Sequence, residues 1–204
     1  MSLTEVMSDP SASASKPRHV VGLAASAGGL DALIHVISAL PADFAAPLLV
    51  LLHLDPHHRS WLSEILDRRA ALTVEPAREG ERMVAGRVYV APPGRHLVVR
   101  PDGLLGFSDC ERVHFVRPSA DLLFQSLGEV CGSGAIAVVL TGTGRDGADG
   151  VLAIKRHGGT VIAQDEASSA FFSMPAAAFK TGAVDQVLPL DGIAPALVEL
   201  TRVA

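Results

Sequence analysis

The chain has 204 residues, 49% of them hydrophobic, and a formal net charge of −5. That length and composition allow one substantial core in a single domain, and the acidic balance with scattered lysine and arginine argues against a nucleic-acid surface, which needs concentrated basic charge. No apolar run approaches the ~18 residues of a membrane span, and the opening MSLTEVMSDP lacks the apolar centre of a secretory signal, so a cytoplasmic location without direct membrane insertion is expected.

Residues 1–18 are rich in serine, alanine and proline without periodicity and read as a disordered tail, leaving residues 19–204 as the folded domain. Val20 to Ala25 is an apolar strand. A tight turn follows, and then Leu30, Leu33, Ile34 and Ile37 mark a helix stripe. Leu48 to His53 is a continuous apolar run of the kind buried on both faces of a parallel sheet. Ser60 is placed to cap a helix carrying Trp61, Leu62, Ile65 and Leu66, and ALTVEPA reads as a third strand. Val88 to Val90 and His96 to Val99 are β-rich, separated by Pro-Pro-Gly and followed by Pro-Asp-Gly. They predict an antiparallel hairpin or meander inserted on an otherwise parallel sheet.

A helix is expected from near Ser119, with Leu122, Leu123, Leu127 and Val130 turned inward. Ala135 to Leu140 reads as the most buried strand; it runs into the loop TGTGRDGADG and a helix that stops at Gly158. TVIAQ is a further strand, Pro175 suits the first position of the next helix, and VDQVLPL and DGIAPALVELTRV supply the last strand and helix. The alternation predicts a doubly wound, three-layer, mostly parallel α/β fold of Rossmann-like type with an antiparallel hairpin. Sites in such a fold lie outside the carboxyl ends of the strands. Cys110 and Cys131 are too few for a disulfide framework and lack C-x-x-C spacing.

Three strand ends carry reactive side chains: Ser26, His53 and Asp146. A serine hydroxyl is a weak nucleophile until a base takes its proton, and histidine does so best when a carboxylate fixes its tautomer. Proximity in space, not order in sequence, defines such a triad. The small residues around Ser26 are similar to the nucleophile elbow G-x-S-x-G with its first glycine replaced by alanine. A helix cap or a phosphate-turn serine would explain the same stretch. His157, in the last turn of a helix, reads as structural; Asp149 competes with Asp146 as the orienting carboxylate, and Asp146 lies closer to its strand end.

Together VVGLAASAGGLDAL, the strand ending at His53, GRVYVAPPGRHL, RPSADLLF, VVLTGTGRDGADG and AQDEASSAFFSMP resemble the catalytic domain of the chemotaxis protein-glutamate methylesterases, CheB, from about Val20 to the end of the chain. The resemblance implies a nucleophile at Ser26, a base at His53, an aspartate at Asp146, and oxyanion-binding backbone amides at Ala27 and Thr143. It further implies hydrolysis of glutamate methyl esters on chemoreceptor cytoplasmic helices, with deamidation of receptor glutamines as an extension, and neither metal nor other cofactor. Arg117 in RPSADLLF is a candidate substrate contact.

The chain also departs from the family pattern. Many members have threonine where Ala27 stands and methionine where Thr143 stands, and the loop LDPHHRS is closer to the branch in which this domain accompanies a receptor methyltransferase domain. Typical members carry an amino-terminal receiver domain. Its place here is taken by a short tail, so a constitutively open esterase, or one regulated by a separate receiver protein, is expected. Two other readings stay open. The first is a metal-dependent hydrolase using His53, Asp55, His57 and His58 of the HLDPHH loop; the second is a non-catalytic anion- or receptor-binding module built on the glycine-rich turns.

Overall fold

The structure is a computed structural model that describes residues 16–54 and 60–202. The strands in chain order are β1 (Val20–Ala25), β2 (Leu48–Leu52), β3 (Thr73–Pro76), β4 (Arg87–Val90), β5 (His96–Val99), β6 (Leu105–Ser108), β7 (Ala135–Val139), β8 (Thr160–Gln164) and β9 (Gln186–Leu188). The helices are α1 (Gly29–Ser38), α2 (Leu62–Asp67), α3 (Ala120–Cys131), α4 (Ala148–Arg156), α5 (Ser173–Lys180) and α6 (Leu190–Thr201). Seven strands pair in parallel in the order β3-β4-β2-β1-β7-β8-β9. The chain winds outward from β1 to one edge, returns to β7 and winds to the other. The neighbouring ends of β1, β2 and β7 therefore form the switch point where such sheets place their sites.

Both faces of the sheet are apolar because alternate residues of each central strand point to opposite sides. Val21, Leu23, Val50 and Leu52 pack beneath α1, α2 and α6, whereas Val20, Ala24, Leu49 and Leu51 pack beneath α3, α4 and α5. This is the expected three-layer arrangement. No described helix is long and apolar enough to cross a membrane.

The hairpin differs from the sequence expectation in its partners. Val88 to Val90 belongs to the main sheet, with Leu48 paired to Val88 and Val74 to the same residue from the other side. The antiparallel pair is β5 with β6, which places Val99 opposite Leu105 across the Pro-Asp-Gly turn. Pro92 and Pro93 lack N–H donors and end the β4 ladder just after Ala91, whose N–H still reaches Val50 O at 2.8 Å.

Smaller differences have similar causes. In α1, Leu33, Val36 and Ile37 are buried while Leu30 is 36% exposed, because the buried face runs through Gly29, Ala32, Leu33, Val36 and Ile37 and Leu30 lies beside it. In α3, which lies against both α4 and β5, the buried stripe is Leu123, Phe124 and Leu127, with Leu122 and Val130 half-buried. Pro175 is the third residue of α5. It is tolerated there because the first-turn N–H groups have no acceptor within the helix. Within the expected tail, Lys16 Nζ donates to the carbonyl of Val130; residues 1–15 lie outside the described residues.

Candidate active site

Ser26 is the first residue after β1, and the sheet ladder runs on past the strand to hold it. The His53 N–H donates to Ala25 O at 3.1 Å, and the Ser26 N–H donates to Thr141 O at 3.0 Å. Because Ala25 pairs with Leu52, the register carried one residue further sets Ser26 beside His53, about one strand spacing (~4.8 Å) away. Gly28 then turns the chain into α1 at φ 72°, where a Cβ would also lie 2.7 Å from that of Ala170. On the far side, Gly142 presses so closely that a Cβ there would collide with Met174 Sδ and come 2.8 Å from Ser26 Cβ. The nucleophile candidate is thus wedged between the ends of β2 and β7.

His53 Nε2 lies 2.9 Å from Asp146 Oδ2, with the imidazole 10% and the carboxylate 2% exposed. Asp146 sits against the amino terminus of α3: Oδ2 accepts the Ala120 N–H at 2.5 Å, and Oδ1 accepts the Ser119 hydroxyl at 2.7 Å and the Asp121 N–H at 3.3 Å. Burial by itself raises the Asp146 carboxyl, but the hydrogen bonds from His53, Ala120 and Ser119 outweigh it and hold the group below the ordinary carboxylate range. Asp146 is therefore a pure acceptor, and His53 Nε2 carries the proton between them. Nδ1 is left as the basic nitrogen. Ser119 does stand at the N-cap of α3, yet its hydroxyl makes no capping bond and serves Asp146 instead.

Asp121 reciprocates the clasp. Its Oδ1 accepts the N–H groups of Gly147 at 2.9 Å and Gly150 at 2.7 Å, which ties the loop after Asp146 to α3. Burial pushes its carboxyl up to about 6; the Gly150 N–H opposes that rise, and the charges of Asp146 and Asp149 add to it. Asp149 is 59% exposed and faces Arg145 at 3.3 Å and His114 at 3.6 Å, so it is Asp146 that meets His53. His157 forms the exposed C-cap of α4.

Of the two amides expected to bind an oxyanion, Ala27 follows Ser26 directly and Thr143 follows Gly142; neither N–H has an acceptor among the described residues. Thr141 stitches the two turns together. Its hydroxyl lies 3.1 Å from Ala27 O and 3.2 Å from Phe171 O and accepts the Phe171 N–H at 2.8 Å, while its own N–H donates to Gln164 Oε1 at 2.8 Å. Arg117 lines a cavity of about 100 Å³ with His53. Its guanidinium is held by the carbonyls of Asp109 and Cys110 at 3.2 and 3.0 Å.

Thr141, Gln164, Ser119 and Asp121 escaped the sequence reading. Thr141 and Gln164 are polar residues that finish buried strands, the same signal that marked His53, and it could have found them.

In the HLDPHH loop, Asp55, His57 and His58 lie outside the described residues, and His53 Nε2 is occupied by Asp146. One other group of ligand-type atoms, from His114, Asp121 and Asp149, falls within 4.8 Å of one another. The His114 ion pairs with both carboxylates account for that arrangement.

The family model described as CheB methylesterase matches residues 21–197. The chain belongs to the CheB methylesterase family. Relatives include the protein-glutamate methylesterase/protein-glutamine glutaminase 2 of Anaeromyxobacter dehalogenans, 47% identical over 183 residues, which cover 90% of this chain and 53% of that protein. The protein-glutamate methylesterase FrzG of Myxococcus xanthus is 42% identical over 183 residues, covering 90% of this chain and 55% of FrzG. The chain thus spans a little over half the length of these CheB relatives. The crystal structure of the Thermotoga maritima CheB methylesterase catalytic domain superposes with a TM-score of 0.86 at 36% identity, covering 89% of this chain and 98% of that one.

Proposed function

We propose that this chain is a cytoplasmic serine esterase that removes methyl groups from glutamyl methyl esters on chemoreceptor helices and deamidates receptor glutamines at the same site. The observation that carries the reading is the buried His53 Nε2–Asp146 Oδ2 pair, 2.9 Å apart, at the strand end adjoining Ser26. Ser26 Oγ attacks the ester carbonyl while His53 Nδ1 takes its proton, and the Asp146 carboxylate steadies the imidazolium. The tetrahedral oxyanion is bound by the Ala27 and Thr143 amides. The C–OCH₃ bond then breaks, and methanol leaves with the proton from Nδ1. Water, deprotonated by the same nitrogen, attacks the acyl-enzyme and releases the free carboxylate and Ser26. An amide substrate follows the same path with ammonia leaving.

The cavity shared by His53 and Arg117, about 100 Å³, suits one side chain presented by a macromolecule; pockets for free drug-sized ligands run ~300–1,000 Å³.

Release of methanol from methylated chemoreceptor fragments tests the reading. Ser26→Ala is expected to lower kcat by roughly 10⁴-fold or more, with the wild type indifferent to chelator. Undiminished release by Ser26→Ala, or its loss on chelation, would transfer the chemistry to a metal at the HLDPHH loop.

A further inference from the structure

Beside His53 the chain makes a turn that costs backbone energy and presents an apolar side chain to water. Val113 and Val116 exchange both backbone hydrogen bonds, at 3.2 and 2.9 Å, and the two residues between them, His114 and Phe115, have φ of 48° and 67°. Positive φ at both central positions is the pattern of a type I′ turn, which asparagine and glycine fill without strain. Histidine and phenylalanine do not. Phe115 is 93% exposed, so no packing among the described residues repays the conformation. Strain kept where a small residue would remove it points to a use for the side chain.

Its setting indicates that use. Phe115 lines the same cavity as His53, together with Leu54, Val116, Arg112 and Arg117. Leu54 is itself 38% exposed, so the rim combines apolar surface with guanidinium groups. The described lining includes no carboxylate, on a chain whose net charge is −5. A partner that fits this rim is acidic and carries an apolar residue near the reacting group. In an α-helix, neighbours three or four positions apart project from one face. A helix could thus direct a glutamyl ester toward His53 while an apolar residue one turn away meets Phe115.

We propose that Phe115 is an apolar anchor that seats an acidic, amphipathic helix of the substrate over the His53 cavity, with Arg112 facing that helix's carboxylates. This rests on the esterase reading and names the surface by which the site recognises a helix rather than any ester. Arg117, tied to the Asp109 and Cys110 carbonyls, lines the same cavity.

The test compares two substrates with the full chain: a methylated helical receptor fragment and a small soluble aryl ester that offers nothing to an anchor. In Phe115→Ala and Phe115→Gly, the ratio of kcat/KM for the helix to that for the aryl ester is expected to fall about tenfold or more, the order set by losing a buried phenyl contact. The loss should appear chiefly in KM. Phe115→Gly should also melt no lower than wild type, since glycine adopts positive φ without strain. Arg112→Ala should make helix turnover less sensitive to salt, as expected for a rim charge.

An unchanged ratio, or a Phe115→Gly protein that melts lower, would overturn the proposal. So would a wild-type dimer that dissociates in Phe115→Ala with the ratio unaltered, which would make the turn a contact between copies. Binding of a labelled helix to Ser26→Ala, with and without Phe115→Ala, reads the anchor independently of turnover. Failure of the aryl ester to depend on Ser26 would sink the esterase reading alone.

Discussion

Ser26 owes its position to residues that have no chemistry of their own. Gly142 leaves no room for a side chain between Ser26 Cβ, 2.8 Å from where its own Cβ would stand, and Met174. Met174 is flexible and can give way, whereas Ser26 is held by its N–H bond to Thr141 O. Gly142→Ala should therefore leave a folded protein whose kcat on methylated receptor fragments drops by about 10²-fold, the scale associated with an ~1 Å misplacement of a reacting group. Circular dichroism with single-turnover kinetics checks it; full activity would show that Ser26 tolerates displacement. Most of the candidate site was legible at this scale, because Ser26, His53 and Asp146 each follow an apolar strand. Asp146 stands out from Asp149 already by lying closer to its strand end, and packing against α3 is what sets its carboxylate 2.9 Å from His53.

At the scale of elements, the site depends on α3 and α4 gripping each other's amino termini. The α3 terminus donates to Asp146, and Asp121 of α3 accepts from Gly147 and Gly150 at the start of α4. Burial raises the Asp121 carboxyl to about 6, from an ordinary value of 3.8. A folded-state value above the unfolded one means that the folded protein holds the extra proton between those two values. This group's stabilising contribution is therefore complete below about pH 4 and is lost as pH rises through about 6. Asp146 has the opposite sign: its contribution is present above its unfolded value and is lost as pH falls through its depressed folded value. Asp121→Asn keeps an acceptor for Gly147 and Gly150 and removes the titration. Urea unfolding at pH 4.5 and pH 7 should show the variant gaining relative to wild type as pH rises; an equal difference at both pH values would count against the assignment. This clasp was hidden from the sequence because it joins residues ~25 positions apart by backbone donors, whose partners periodicity does not encode.

For the molecule as a whole, the parallel sheet is both the core and the frame of the site. Leu23, in the middle of β1, is fully buried, whereas Leu30 at the start of α1 is 36% exposed. Leu23→Ala should cost ~2–5 kcal/mol of unfolding free energy and Leu30→Ala less than ~1 kcal/mol, measured by urea denaturation. Comparable losses would mean that the two sites are not distinguished by burial. Apolar runs and helical periodicity by themselves determined the strands, the helices, the three-layer class and the three strand ends with reactive side chains, since burial on both faces of a parallel strand leaves a continuous apolar signature. Only the tertiary structure decided that Val88 to Val90 joins the main sheet, that Ser119 serves Asp146, that Nε2 of His53 is the nitrogen that meets Asp146, and that Phe115 stands exposed beside it. Those outcomes depend on which strands lie side by side and where backbone donors point, and such long-range pairings leave no local pattern in the chain.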